Sequence, residues 1–207
     1  MIILALATAV LEFWGSNESG SLALLGDAWH VVSDILVYLV AIFVGVLVLK
    51  KNKDKTKTIK GVWAVRNANI LILVAVSTMA LAAWRISHPV EVMTDVMLWV
   101  SAIGLAANGV MYFVLKAFRI EHEHENKGHD HLHDTTIIHT LNDLGISFAV
   151  VITGKLMEAY PWIIEYRPDS IASIIICVWL IEVANKTKRE AEKSMAAEQH
   201  DEHYHQD

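Results

Sequence analysis

Two short stretches, His30-Val31-Val32-Ser33-Asp34 and His139-Thr140-Leu141-Asn142-Asp143, repeat one spacing in distant parts of the chain. Four residues of separation put an imidazole and a carboxylate on one helical face, one turn apart. A single such pair is equally well read as an intrahelical hydrogen bond. Two copies supply more ligands than a helix contact requires. Facing each other, two imidazoles and two carboxylates make a tetrahedral set for a divalent ion of the zinc type. The charges also balance, because two carboxylates cancel one divalent cation while two neutral imidazoles complete its shell.

Both stretches lie inside long apolar runs, and these must position them. The chain has 207 residues, 54% of them hydrophobic, and a positive mean hydropathy, which is too apolar for a soluble domain. Six runs are predicted to span a membrane, at about 1–16, 22–49, 67–87, 92–117, 135–157 and 170–186. The expected fold is an all-α membrane protein, a six-transmembrane-helix bundle over residues 1–189 with a short tail at 190–207. At the centre of a spanning helix an Asp costs about 2.5–3.5 kcal/mol on insertion scales, so such residues turn inward to partners.

The first run is shorter than the ~20 residues that normally cross a bilayer. Its Glu12 is an isolated acid near one end, read as interfacial or at an entrance in preference to a metal ligand. In the second run Asp27, His30 and Asp34 fall close to one face. Asp27 lies one turn from His30 on the extracytoplasmic side, where an exit-path or proton-relay role competes with that of a helix-start acid. Asn108, well inside the fourth run, is expected to make an interhelical hydrogen bond. Pro168-Asp169 marks a helix start. The single cysteine, Cys177, excludes an intrachain disulfide and reads as a small buried hydrophobe. No secretory leader stands out.

Six spans put both termini on one side. With the termini in the cytoplasm, Lys50 to Arg66, Lys116, Arg119, Lys127 and Lys186 to Lys193 are cytoplasmic, whereas only Arg85, Lys155 and Arg167 lie on the far side. That bias predicts cytoplasmic termini, in a cell (inner) membrane. A histidine-rich cytoplasmic loop at 121–134 then carries His122, His124, His129, His131 and His133 beside the fifth span. Weak metal collection is expected of it, since five imidazoles raise the local ion concentration, against a solvated linker as the plainer reading. His200, His203 and His205 in the tail read as solvated side chains. A net charge of −6, with the basic residues gathered in short loops, gives no reason to expect a nucleic-acid partner.

An empty site would leave two carboxylates in a poor dielectric, so protons are expected to replace the metal when it leaves. A site open alternately to the two sides would then exchange metal for protons. The sequence resembles the cation diffusion facilitators, zinc-type metal/proton antiporters, in Ser21-Leu22-Ala23-Leu24-Leu25-Gly26-Asp27-Ala28-Trp29-His30-Val31-Val32-Ser33-Asp34, in His139-Thr140-Leu141-Asn142-Asp143 and in Ser170-Ile171-Ala172-Ser173. The resemblance covers about Met1 to Arg189. It implies that His30, Asp34, His139 and Asp143 form the intramembrane transport site, with His in the second span going with zinc-type preference. It also implies export from the cytoplasm driven by inward proton flow, and commonly a homodimer. Family members usually continue into a cytoplasmic α/β domain. Here only a histidine-bearing tail follows, and natural absence of that domain is the expectation.

The partners expected are the lipid bilayer, divalent ions and protons, with no permanently bound cofactor; zinc, cadmium, cobalt and nickel all suit nitrogen and oxygen ligands as the transported ion. The competing class is a membrane metal sensor or store that binds without turnover. An enzyme is not expected: an intramembrane metalloprotease would need a motif such as H-E-x-x-H, and His122-Glu123-His124-Glu125-Asn126 does not supply it. A carrier of organic cations would want an aromatic-lined cavity, whereas the tryptophans lie mostly near span ends.

Overall fold

The computed structural model describes residues 2–48, 56–125, 131–160, 162 and 167–204; within those, the side chains of 118–125, 131–139 and 197–204, among others, fall outside the description. Six helices make up nearly all of the described residues: α1 (Ile2–Ser19), α2 (Leu22–Val48), α3 (Thr56–Ser87), α4 (Thr94–Glu125), α5 (His131–Ala159) and α6 (Pro168–Tyr204). There is no strand among them. Several helices run past the apolar stretches that announce them. α3 begins at Thr56 and not near Asn67, and α6 continues through the charged tail. Hydropathy marks where a helix can meet lipid, but the Ala, Glu, Lys and Met of the tail are strong helix formers and carry the helix further.

The helices alternate in direction, so the connections α1–α2, α3–α4 and α5–α6 gather at one face, here the turn face. The start of α1 and the end of α6 belong to the opposite, terminal face. Backbone and side-chain bonds lock the turn face. α1 stops at Gly20, whose φ of 72° is open to glycine at little cost and whose N–H returns to the Ser16 carbonyl at 2.9 Å. The Gly20 carbonyl accepts from Arg85 Nη1 at 2.5 Å, and the Ser19 carbonyl accepts from the Met93 N–H at 2.9 Å. Asp169, in the first turn of α6, caps α2. Its Oδ1 accepts from Ser21 Oγ at 2.6 Å and from the Ala23 N–H at 3.3 Å, and its Oδ2 from the Leu22 N–H at 3.0 Å.

A core of Leu24, Met97, Val100, Ile146, Val150, Ile176 and Leu180 fills the bundle toward this face, with Cys177 among them as the small hydrophobe expected. Two smaller apolar clusters, Ala5, Ala9, Val31 and Ile35, and Ala68, Leu71 and Ala184, complete it. Between them the polar side chains of Glu12, Asp27, His30, Asn108 and Ser147 are buried too. Outward, by contrast, stand Leu6, Val10 and Trp14 on α1, Leu73 and Trp84 on α3, Trp99 and Phe113 on α4, Phe148 on α5 and Ile175 on α6. Buried ionisable groups behind an apolar outer surface are the reverse of a water-soluble bundle and suit a lipid surround. Among the described residues, three stretches are by length and composition apolar enough to cross a membrane: Gly61–Ser87, Thr94–Val114 and Pro168–Ala196.

Candidate metal site

The helical spacing on α2 puts His30 and Asp34 on its inner face, and α5 brings Asp143 to them. His30 Nε2 lies 2.8 Å from Asp143 Oδ1, a hydrogen-bonded contact, and 3.9 Å from Asp34 Oδ2. One ligand atom from each of the three residues fits within a 4.8 Å span, compact enough for all three to reach one ion. His30 is 1% exposed, Asp143 7% and Asp34 9%, so the set is closed from lipid yet not sealed. The contact of an imidazole nitrogen with a carboxylate oxygen needs a hydrogen between them. An ion taking both atoms has to displace it.

A cavity of about 30 Å³ adjoins the two carboxylates. Ile2, Ala5 and Val31 line it with Asp34, Asn108, Met111, Thr140 and Asp143. Ile2 begins α1, so the cavity leads from the site toward the terminal face. From the cavity wall a polar chain leads to Asp27. Asn108 Nδ2 donates to Ser147 Oγ at 2.9 Å, and Ser147 Oγ donates to Asp27 Oδ2 at 2.8 Å. Asn108 thus makes the interhelical bond expected of it, from α4 to α5. Asp27 is wholly buried in the second turn of α2, so it is no helix-start acid.

Residues 1–195 match the cation efflux transmembrane domain. The chain belongs to the cation efflux family. It is 31% identical over 176 residues to a cadmium, cobalt and zinc/H(+)-K(+) antiporter of Bacillus velezensis, an alignment covering 83% of this chain and 53% of that protein. With the zinc transporter ZitB of Yersinia pestis it shares 28% identity over 188 residues, 88% of this chain and 56% of the relative. A human relative, the proton-coupled zinc antiporter SLC30A8, is 25% identical over 181 residues, 83% and 47% of the two chains. The chain spans about half the length of the curated relatives it matches.

In this cation efflux protein, three of the four expected site residues come together: His30, Asp34 and Asp143. The side chain of His139 lies outside the described residues, although its backbone sits one turn before Asp143 in α5. The side chains of His122, His124, His131 and His133 lie outside the description too, as does His129 entirely. One expectation is corrected. Glu12 is neither interfacial nor at an entrance: it is 0% exposed, in the middle of the buried face of α1. That face runs Ala5, Thr8, Ala9, Glu12, Gly15, Ser16 and Ser19, a helical period of small residues that lets α1 pack closely on its neighbours. The Asp169 cap is a second feature that the sequence reading passed over.

Proposed function

We propose that this cation efflux protein carries a zinc-type divalent ion out of the cytoplasm in exchange for protons, with the ion held by His30, Asp34, Asp143 and His139. The observation that carries the reading is the convergence of three buried ligand atoms from α2 and α5 beside a cavity leading to the terminal face. Loaded, two carboxylates and one divalent ion sum to zero charge. Unloaded, the same carboxylates would stay charged in the membrane interior unless protons took the ion's place. Metal and protons therefore compete for the same atoms, and a site reached alternately from either face converts that competition into exchange.

The relatives' names support a divalent substrate: cadmium, cobalt and zinc for one, zinc for the others. We take zinc as the preferred ion because imidazole nitrogen with carboxylate oxygen in a four-ligand shell suits it. All six helices cross the membrane in this reading. The outward apolar faces of α1, α3, α4, α5 and α6 support it, and the excess of Lys and Arg at the terminal face supports cytoplasmic termini. The family resemblance suggests a homodimer in the cell membrane.

The test is transport in sealed vesicles holding a zinc dye, under an imposed pH gradient, with wild type beside Asp143→Ala. Accumulation that needs the gradient and disappears in the variant is the expected result. Stoichiometric binding without accumulation by the wild type would overturn the transport reading and favour a metal sensor or store.

A further inference from the structure

Among the described residues, Glu12 is a buried ionisable group that the metal ligands leave unexplained. It is 0% exposed, and neither carboxylate oxygen has a hydrogen-bond partner. On α4, Gly104 faces it so closely that an added Cβ would collide with Glu12 Oε1, and between Asp95 and Lys116 that helix has no charged residue. From α2 the charged group acting on it is Asp27, with His30 and Asp34 further along the same face and Asp143 beyond on α5. Asp27 itself is 0% exposed. The Asn108–Ser147 chain holds its Oδ2, while its Oδ1 has no partner. Two carboxyl groups with three unpartnered oxygens thus sit toward the turn face from the metal site.

Carboxyl oxygens without donors, out of water and beside a second acid, call for a cation. Among the described residues, only His30, Asp34 and Asp143 group three metal-ligating side chains, so this pair lacks the ligands to hold a divalent ion well. A proton needs a single acceptor. Building on the antiport reading above, we propose that Glu12 is a second proton-binding residue of the exchange cycle, separate from the metal ligands and placed between them and the turn face. It takes one proton from water at the turn face, shares it within the Glu12–Asp27 pair, and gives it up to water at the terminal face. Only O–H bonds are made and broken, and one proton is delivered for each one taken.

Glu12→Gln keeps the size of the side chain and removes its capacity to exchange a proton. The expected result has three parts: zinc affinity by dye competition within about twofold of wild type, retained exchange of tracer zinc for unlabelled zinc across vesicles, and a pH-gradient-driven accumulation at least tenfold lower. Glu12→Asp, which keeps a carboxyl, is expected to recover part of that accumulation. Accumulation by Glu12→Gln at the wild-type rate overturns the proposal. So does a parallel loss of zinc binding, tracer exchange and accumulation, the mark of a purely structural residue, and so does a Glu12→Asp variant no better than Glu12→Gln. A wild type that accumulates no zinc under the gradient would refute the antiport reading itself, a different outcome from any of these.

Discussion

Replacing Asp169 by Ala tests whether a side chain of α6 fixes the start of the helix that bears His30. The substitution deletes three hydrogen bonds to one carboxylate, from Ser21 Oγ, the Leu22 N–H and the Ala23 N–H. Leu22 and Ala23 are buried, so their N–H groups find no water in its place. Ser21 Oγ keeps one role, since it still accepts from the Leu24 N–H at 3.1 Å. Loss of an N-cap costs about 1 kcal/mol, and each bond to a charged group about 1.5–3 kcal/mol. Allowing for relaxation at the turn face, the expected destabilisation of Asp169→Ala is about 3–5 kcal/mol, or a fall in Tm on the order of 10 °C for a chain of this size. Asp169→Asn keeps an acceptor oxygen and loses the charge, so about half the effect remains. Thermal unfolding in detergent, read by far-ultraviolet circular dichroism, measures both. An Asp169→Ala protein within 2 °C of wild type, a resolution far finer than the ~10 °C expected, would refute the assignment of Asp169 as the cap of α2. An Asn variant as unstable as the Ala variant would refute the division between hydrogen bonding and charge.

Zinc affinity in detergent is expected to rise with pH between 6 and 8, because ligands must shed protons to bind; each proton displaced contributes about tenfold per pH unit. Dye competition measures it, and a flat profile would contradict the exchange of protons for metal at His30 and Asp143. Gly15→Ala would put a Cβ 2.6–2.9 Å from three atoms of the Val100 side chain, costing about 1–3 kcal/mol in thermal unfolding. Adding Val100→Ala to that variant should relieve the crowding and return part of the loss. If His122, His124, His129, His131 and His133 collect metal, changing all five to Ser raises the half-saturating zinc concentration for transport without altering the maximal rate; an unmoved value would leave them as linker.

What the sequence made legible is what membrane insertion makes expensive. His30, Asp34 and Asp143 stand out because ionisable residues in apolar runs carry a cost that demands partners, and their spacing names the face they share. Distance in sequence hid the rest. Asp169 reads as a helix-start acid of α6, and nothing near it says that the backbone it serves lies 147 positions away. Ser147 is an unremarkable small residue until α5 brings it to Asp27. Glu12 is different, because its signal was present and was read along the wrong coordinate. Its place along α1, near the end of a short apolar run, suggested an interface. Its place around α1 is what decides burial: with Ala5, Thr8, Ala9, Gly15, Ser16 and Ser19 it forms the inner stripe, opposite Leu6, Val10 and Trp14. A stripe of small residues lets backbones approach closely, and α4 answers with Gly104 at the level of Glu12. The same close approach that removes Glu12 from lipid sets a glycine, which has no side-chain donor, against a carboxylate whose two oxygens have no hydrogen-bond partner.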